Sequence, residues 1–239
     1  MLYLILFAIT VLAGLVQGVT GFGSCIVIMM VLPFYFPLAE AAGIAVATTL
    51  IMGVVMILRY RSHIKVREAL LPSVLYIIVS SLAIHFATQV DQAVMKKVFG
   101  VFLVLLSEFY LGFAPSGSNQ KKLPLLAGAL CIIVSAACDG LFGIGGPLMV
   151  IYFMHRTTDL HEYLGTLQLF FLVNNVYNTV FRFYRGVLGP QHLIYILCGM
   201  AGILIGVLIA GKIVDKLRRD VLRRLIYVMI GVSGLINLL

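Results

Sequence analysis

Two stretches of this chain carry the same glycine spacing 122 residues apart. One runs Gln17-Gly18-Val19-Thr20-Gly21-Phe22-Gly23-Ser24-Cys25. The other runs Asp139-Gly140-Leu141-Phe142-Gly143-Ile144-Gly145-Gly146-Pro147. Gly18, Gly21 and Gly23 fall on Gly140, Gly143 and Gly145 without a gap. Each cluster follows a long apolar run and precedes a shorter one. Glycine costs about 1 kcal/mol against alanine in a helix interior, so each run breaks there. A short helix beginning near Ser24 and another near Pro147 would present unpaired N–H groups and a positive dipole end, which suits an anion. Pro147 fits a first helical turn, where its missing N–H has no partner to lose. The residues singled out are Gly21, Gly23, Ser24, Gly143, Gly145 and Gly146. The plainer use of such glycines is close helix packing.

A second polar group lies in one apolar segment. Gln168, Asn175, Asn178 and Arg182 are spaced by seven, three and four residues, one stripe of a helix, with Asn174 beside it. Their amides and guanidinium could donate to an oxyanion, or hold helices together. Arg182 and Arg185 lie near a helix end and could attract an anion or reach to headgroups. Asp139, in the place of Gln17, would repel an anion unless protonated, which marks it for proton coupling; a helix-end hydrogen bond is the alternative. Thr48 and Thr49 are the nearest polar residues of the corresponding first-half helix and read as backbone-bonded. Asp159 with Glu162 has capping spacing, and Glu40 also suits a helix start.

The segments that must position these groups are membrane-spanning. Of 239 residues, 62% are hydrophobic and 11% charged, with mean hydropathy +1.11; a soluble domain carries about 25% charged residues. Apolar runs of near-spanning length cover about 38–58, 69–87, 94–113, 163–183, 192–211 and 221–238. Two more, 2–32 and 123–154, hold the glycine clusters. An N-terminal repeat (1–113), a linker (114–122) and a C-terminal repeat (123–239) follow. The first run lacks a basic leader and a small-residue cleavage site and reads as a retained membrane segment.

Each broken run could cross once or dip in and return, and the basic residues separate the two. With the six Lys and Arg of Lys212–Arg224 inside, a single crossing leaves nine basic residues inside and eight outside. A re-entrant hairpin groups Arg59, Arg61, Lys65, Arg67, Lys121, Lys122 and Arg156 with those six. Only Lys96, Lys97, Arg182 and Arg185 remain outside. Thirteen against four is the positive-inside pattern. The expected fold is therefore an all-α integral membrane protein of two inverted-topology repeats, each a glycine-broken re-entrant hairpin plus three transmembrane helices, with both termini outside. Broken helices in inverted repeats point to a secondary transporter working by alternating access.

The two G-x-x-G-x-G hairpins followed by hydrophobic helices resemble the sulfite exporter TauE/SafE family, also called the TSUP transporters. The resemblance covers essentially the whole chain, and Gly140–Pro147 is the more typical copy. Ser24 and Cys25 replace Gly-Pro in the first. The family implies transport of small sulfur-containing anions such as sulfite, sulfonates or sulfoacetate, in the inner membrane of a prokaryote.

Other classes fit less well. No zinc, Walker or Ser/His/Asp motif argues for an enzyme, and neither cofactor nor metal is expected. His63, His155, His161 and His192 sit at membrane edges without ligand spacing, and Cys25, Cys131, Cys138 and Cys198 read as packing residues. Net charge +8 comes from clustered loop residues, a sign of topology and anionic lipid rather than nucleic acid. The partners expected are a small anion, the bilayer and a second copy in a homodimer. A channel built on the hairpins is the nearest competitor.

Overall fold

The computed structural model describes residues 2–112, 123–213 and 231–236, and every regular element among them is a helix. Helix α1 (Leu2–Thr20) is followed by the short α2 (Ser24–Met29), then α3 (Leu38–Thr48) and α4 (Leu50–Tyr60). Next come α5 (Val66–Ala87) and α6 (Gln92–Gly112). The second half holds α7 (Leu125–Phe142), α8 (Gly146–Met154), α9 (Leu160–Tyr184) and α10 (Leu193–Ile213). The linker 114–122 and most of the run at 221–238 lie outside the described residues.

Both glycine clusters are turns. Gly21, Gly23 and Gly143 have φ of 84°, 102° and 69°, a left-handed region that costs a residue with a Cβ. The chain then reverses. A Cβ on Gly128, near the start of α7, would stand 3.4 Å from the Tyr152 ring near the end of α8. Helix α8 therefore lies back along α7.

The run at 38–58, expected as one helix, breaks at Thr49. The Thr49 hydroxyl donates to the Val46 carbonyl at 2.8 Å, and its N–H is shared between the Ala45 and Val46 carbonyls. Such back-bonding bends a helix. At the start of α9, Asp159 accepts the Glu162 N–H at 2.9 Å. Glu162 itself takes the Thr158 hydroxyl at 2.7 Å and pairs with Lys65. Glu40 at the start of α3 meets His192 at 3.1 Å.

The halves exchange partners. Helix α1 packs chiefly on α10, and its counterpart α7 packs chiefly on α5, the counterpart of α10. Both contacts are close: a Cβ on Gly14 would stand 2.9 Å from Ile203 Cα, and one on Gly140 2.6 Å from the Ser80 carbonyl. Helices α4 and α9 then pack on each other. Leu4, Leu58, Leu71, Leu125 and Leu126 stay exposed, as lipid-facing side chains do. Four segments among the described residues are long and apolar enough to cross a membrane: Leu38–His63, Val66–Ala87, Leu125–Phe142 and Pro190–Lys212.

The loop ends sort into two groups. Lys65 pairs with Glu162, and Arg156 approaches Glu68 at 3.8 Å. His85 and Arg185 meet at the other end of α5, about 30 Å away at 1.5 Å per residue. A single crossing by the second broken run would put Arg156 opposite Arg59–Arg67. The ion pairs hold those two loops together.

Candidate functional site

The two turns and the middle of α9 enclose a cavity of about 40 Å³, roughly three times the ~10–15 Å³ that one water needs. Its wall includes Gly23, Ser24, Gly143, Gly145, Gly146, Gln168, Asn175 and Asp139. The two hairpins and the polar stripe thus meet at one place. Cys25, Thr49, Tyr76, Phe22 and Phe171 are also among its lining residues. None of the lining residues is Lys, Arg or His.

Each turn is pinned by side chains from the helices around it. The Gln168 amide donates to the Gly21 carbonyl at 2.7 Å, so Gly21 supports the first turn from behind. Gln17 Oε1 accepts both the Ser24 hydroxyl and, at 3.3 Å, the Ser24 N–H. That N–H was expected to face a ligand; the Gln17 side chain occupies it instead, because the turn brings positions 17 and 24 together. The second turn is held by Ser135, whose hydroxyl donates to the Gly145 carbonyl. Helix α8 does start at Gly146 with Pro147 in its first turn, leaving its early N–H groups without intrahelical acceptors.

The stripe on α9 divides. Asn175 donates to Thr49 Oγ1 at 3.1 Å. Thr49 also accepts the Cys25 thiol at 3.9 Å, so its hydroxyl is fully used and fixes the Asn175 amide at the wall. Asn174 turns to α5, donating to Ser73 Oγ at 2.9 Å and to its own helix at the Phe170 carbonyl. Asn178 donates to the Asp139 carboxylate and accepts Ser80 at 3.0 Å. Neither lines the cavity.

Arg182 is the largest departure from expectation. It neither reaches outward nor enters the cavity but is wholly buried. Nη2 donates to the Asp139 and Gly140 carbonyls at 3.2 and 2.7 Å, and Nη1 to the Ala39 carbonyl at 3.1 Å. At the end of α7 the Gly143 N–H already takes the Asp139 carbonyl at 2.8 Å, and the guanidinium adds a second donor to it and one to the Gly140 carbonyl beside it. Arg185 instead contacts His85.

Asp139 is 4% exposed. Its carboxylate is hydrogen-bonded by Tyr76 and Asn178 and borders the cavity. Cys25, Thr49 and Tyr76 were not read as site residues. Thr49 carried a faint signal as a polar residue in an apolar run; Tyr76 and Cys25 carried none. Among the described residues no three His, Cys, Asp or Glu side chains converge as metal ligands would.

Comparison with known proteins gives the chain's relatives. The chain is 25% identical over 168 residues to a protein of Methanocaldococcus jannaschii named "Probable membrane transporter protein". The match covers 62% of this chain and 61% of that protein, so the chain spans about three fifths of that relative's length. No solved structure matches. The family model for sulfite exporter TauE/SafE matches residues 6–236, glycine clusters and polar helix included. Its helices include several long and apolar enough to span a membrane, and the chain belongs to the sulfite exporter TauE/SafE family.

Proposed function

We propose that the protein is a secondary active carrier of small sulfur-containing anions of the sulfite, sulfonate or sulfoacetate kind. It is coupled to protons and works by alternating access in the cytoplasmic membrane of a prokaryote. The observation that carries this reading is the small cavity between the two glycine turns, with Asp139 in its wall.

The cavity's size admits a compact ion and excludes a bulky one. Donors come from the start of α8 and from Asn175 rather than from a fixed basic side chain. That moderates affinity, which a carrier needs in order to release its cargo. Asp139 then sets the coupling. Two unit negative charges ~4 Å apart repel by about 4 kcal/mol at an effective dielectric of ~20. An anion therefore enters with Asp139 protonated, and by linkage the anion favours the proton in return. The exchange of helix partners between halves supports rocking of one half against the other around the turns.

The test is sulfite flux in proteoliposomes holding the purified chain. Accumulation above equilibrium under an inward proton gradient, abolished by a protonophore, is expected. Asp139→Asn should keep exchange of anion for anion but lose accumulation. Passive flux that follows voltage alone would assign a channel instead.

A further inference from the structure

Gln168 carries information about the substrate beyond its size. The residue is fully buried and lines the cavity. Its Nε2 donates to the Gly21 carbonyl, and because a carbonyl only accepts, the amide orientation is fixed. The remaining Oε1 is buried without a hydrogen-bond partner. Thr48, Asn174 and Thr179 also hold unpartnered buried oxygens, but none of those residues lines the cavity.

The cavity thus has two chemically different ends along α9. Gln168 and Asn175 are seven residues apart on one face, about 10 Å. At the Asn175 end the amide nitrogen has a second N–H beyond the one given to Thr49. At the Gln168 end the unsatisfied group is an acceptor. A fully ionised oxyanion could use the first end and would leave Gln168 Oε1 unpaired. A ligand with an O–H or N–H group beside its anionic head would satisfy both.

We propose that Gln168 selects, among small anions, those that also carry a hydrogen-bond donor, such as a hydroxyalkanesulfonate. This rests on the small-anion reading of the site. The test is calorimetric titration of the full chain in detergent with 2-hydroxyethanesulfonate, with 1-propanesulfonate (the same shape with methyl for hydroxyl) and with sulfite. The hydroxylated anion should bind about tenfold or more tightly than its methyl isostere, and in Gln168→Met the ratio should fall to about one. Equal affinity for the isosteres in the unaltered protein would overturn the proposal without needing the variant. A preference that persists in Gln168→Met would remove Gln168 from the role. Binding of sulfite with neither alkanesulfonate overturns the donor requirement and leaves the small-anion reading standing. Binding of none of the three overturns both.

Discussion

Adjacent glycines in the second turn make different demands. A Cβ on Gly145 would stand 2.8 Å from Asp139 Cβ and 3.1 Å from the Ser135 carbonyl, and would overlap the Tyr76 hydroxyl. On Gly146 its nearest neighbours are Phe22 and Phe171 at 3.7 and 3.8 Å, ordinary contact. Gly145→Ala should therefore lower the thermal midpoint through overpacking, about 1–3 kcal/mol. Gly146→Ala should melt like the parent yet carry less anion, since its methyl narrows the small cavity. Similar melting for both would remove the packing argument, and normal flux in Gly146→Ala would move the pathway elsewhere. Arg182→Gln should cost about 1–3 kcal/mol in denaturation, since the Gly140 carbonyl loses a buried charged donor while the Asp139 carbonyl keeps the Gly143 N–H. The presence of polar residues on one helix was legible in the chain. Their division was not: whether Asn174, Asn178 and Arg182 meet a ligand or a neighbour depends on where α5 and α7 lie. Spacing along α9 cannot report that.

Helix α9 holds both Gln168 and Asn175, so its start matters to the site. The Asp159 carboxyl is held below its ordinary value, chiefly by the Glu162 N–H it accepts. A carboxyl depressed in the folded state contributes stability above its unfolded pKa and loses it as pH falls through the folded one. Asp159→Ala should lower the thermal midpoint at neutral pH, and the gap from the parent should close below about pH 4. Asp159→Asn should behave nearly as the parent, since asparagine also caps. A gap unchanged by acid would mean the cap acts through shape alone. At this scale the chain was informative where glycine or a capping pair dictates backbone. Both turns and the Asp159 cap stand where the motifs put them. The Thr49 hydroxyl is backbone-bonded as read, but the break it stands at was not legible, because a hydrophobic run carries no mark of one.

The whole molecule turns on how two halves of one pattern face each other. Helix α1 packs on α10 while α7 packs on α5, so neither half completes itself. Moving one half against the other would reshape the cavity their turns share. Charge gives an expected orientation: the loops joined by Lys65–Glu162 and Arg156–Glu68 carry several of the basic residues and are expected in the cytoplasm. Ser62, Thr88 and Thr158 are exposed near loop ends, which allows a direct check. In a variant whose four cysteines are replaced, single cysteines at these positions would meet a membrane-impermeant thiol reagent on intact cells. Thr88→Cys should label at once, while Ser62→Cys and Thr158→Cys should label only after permeabilisation. The reverse pattern would invert the protein in its membrane. Labelling of Ser62→Cys and Thr158→Cys from opposite sides would break the hairpin arrangement and the two-fold mechanism built on it.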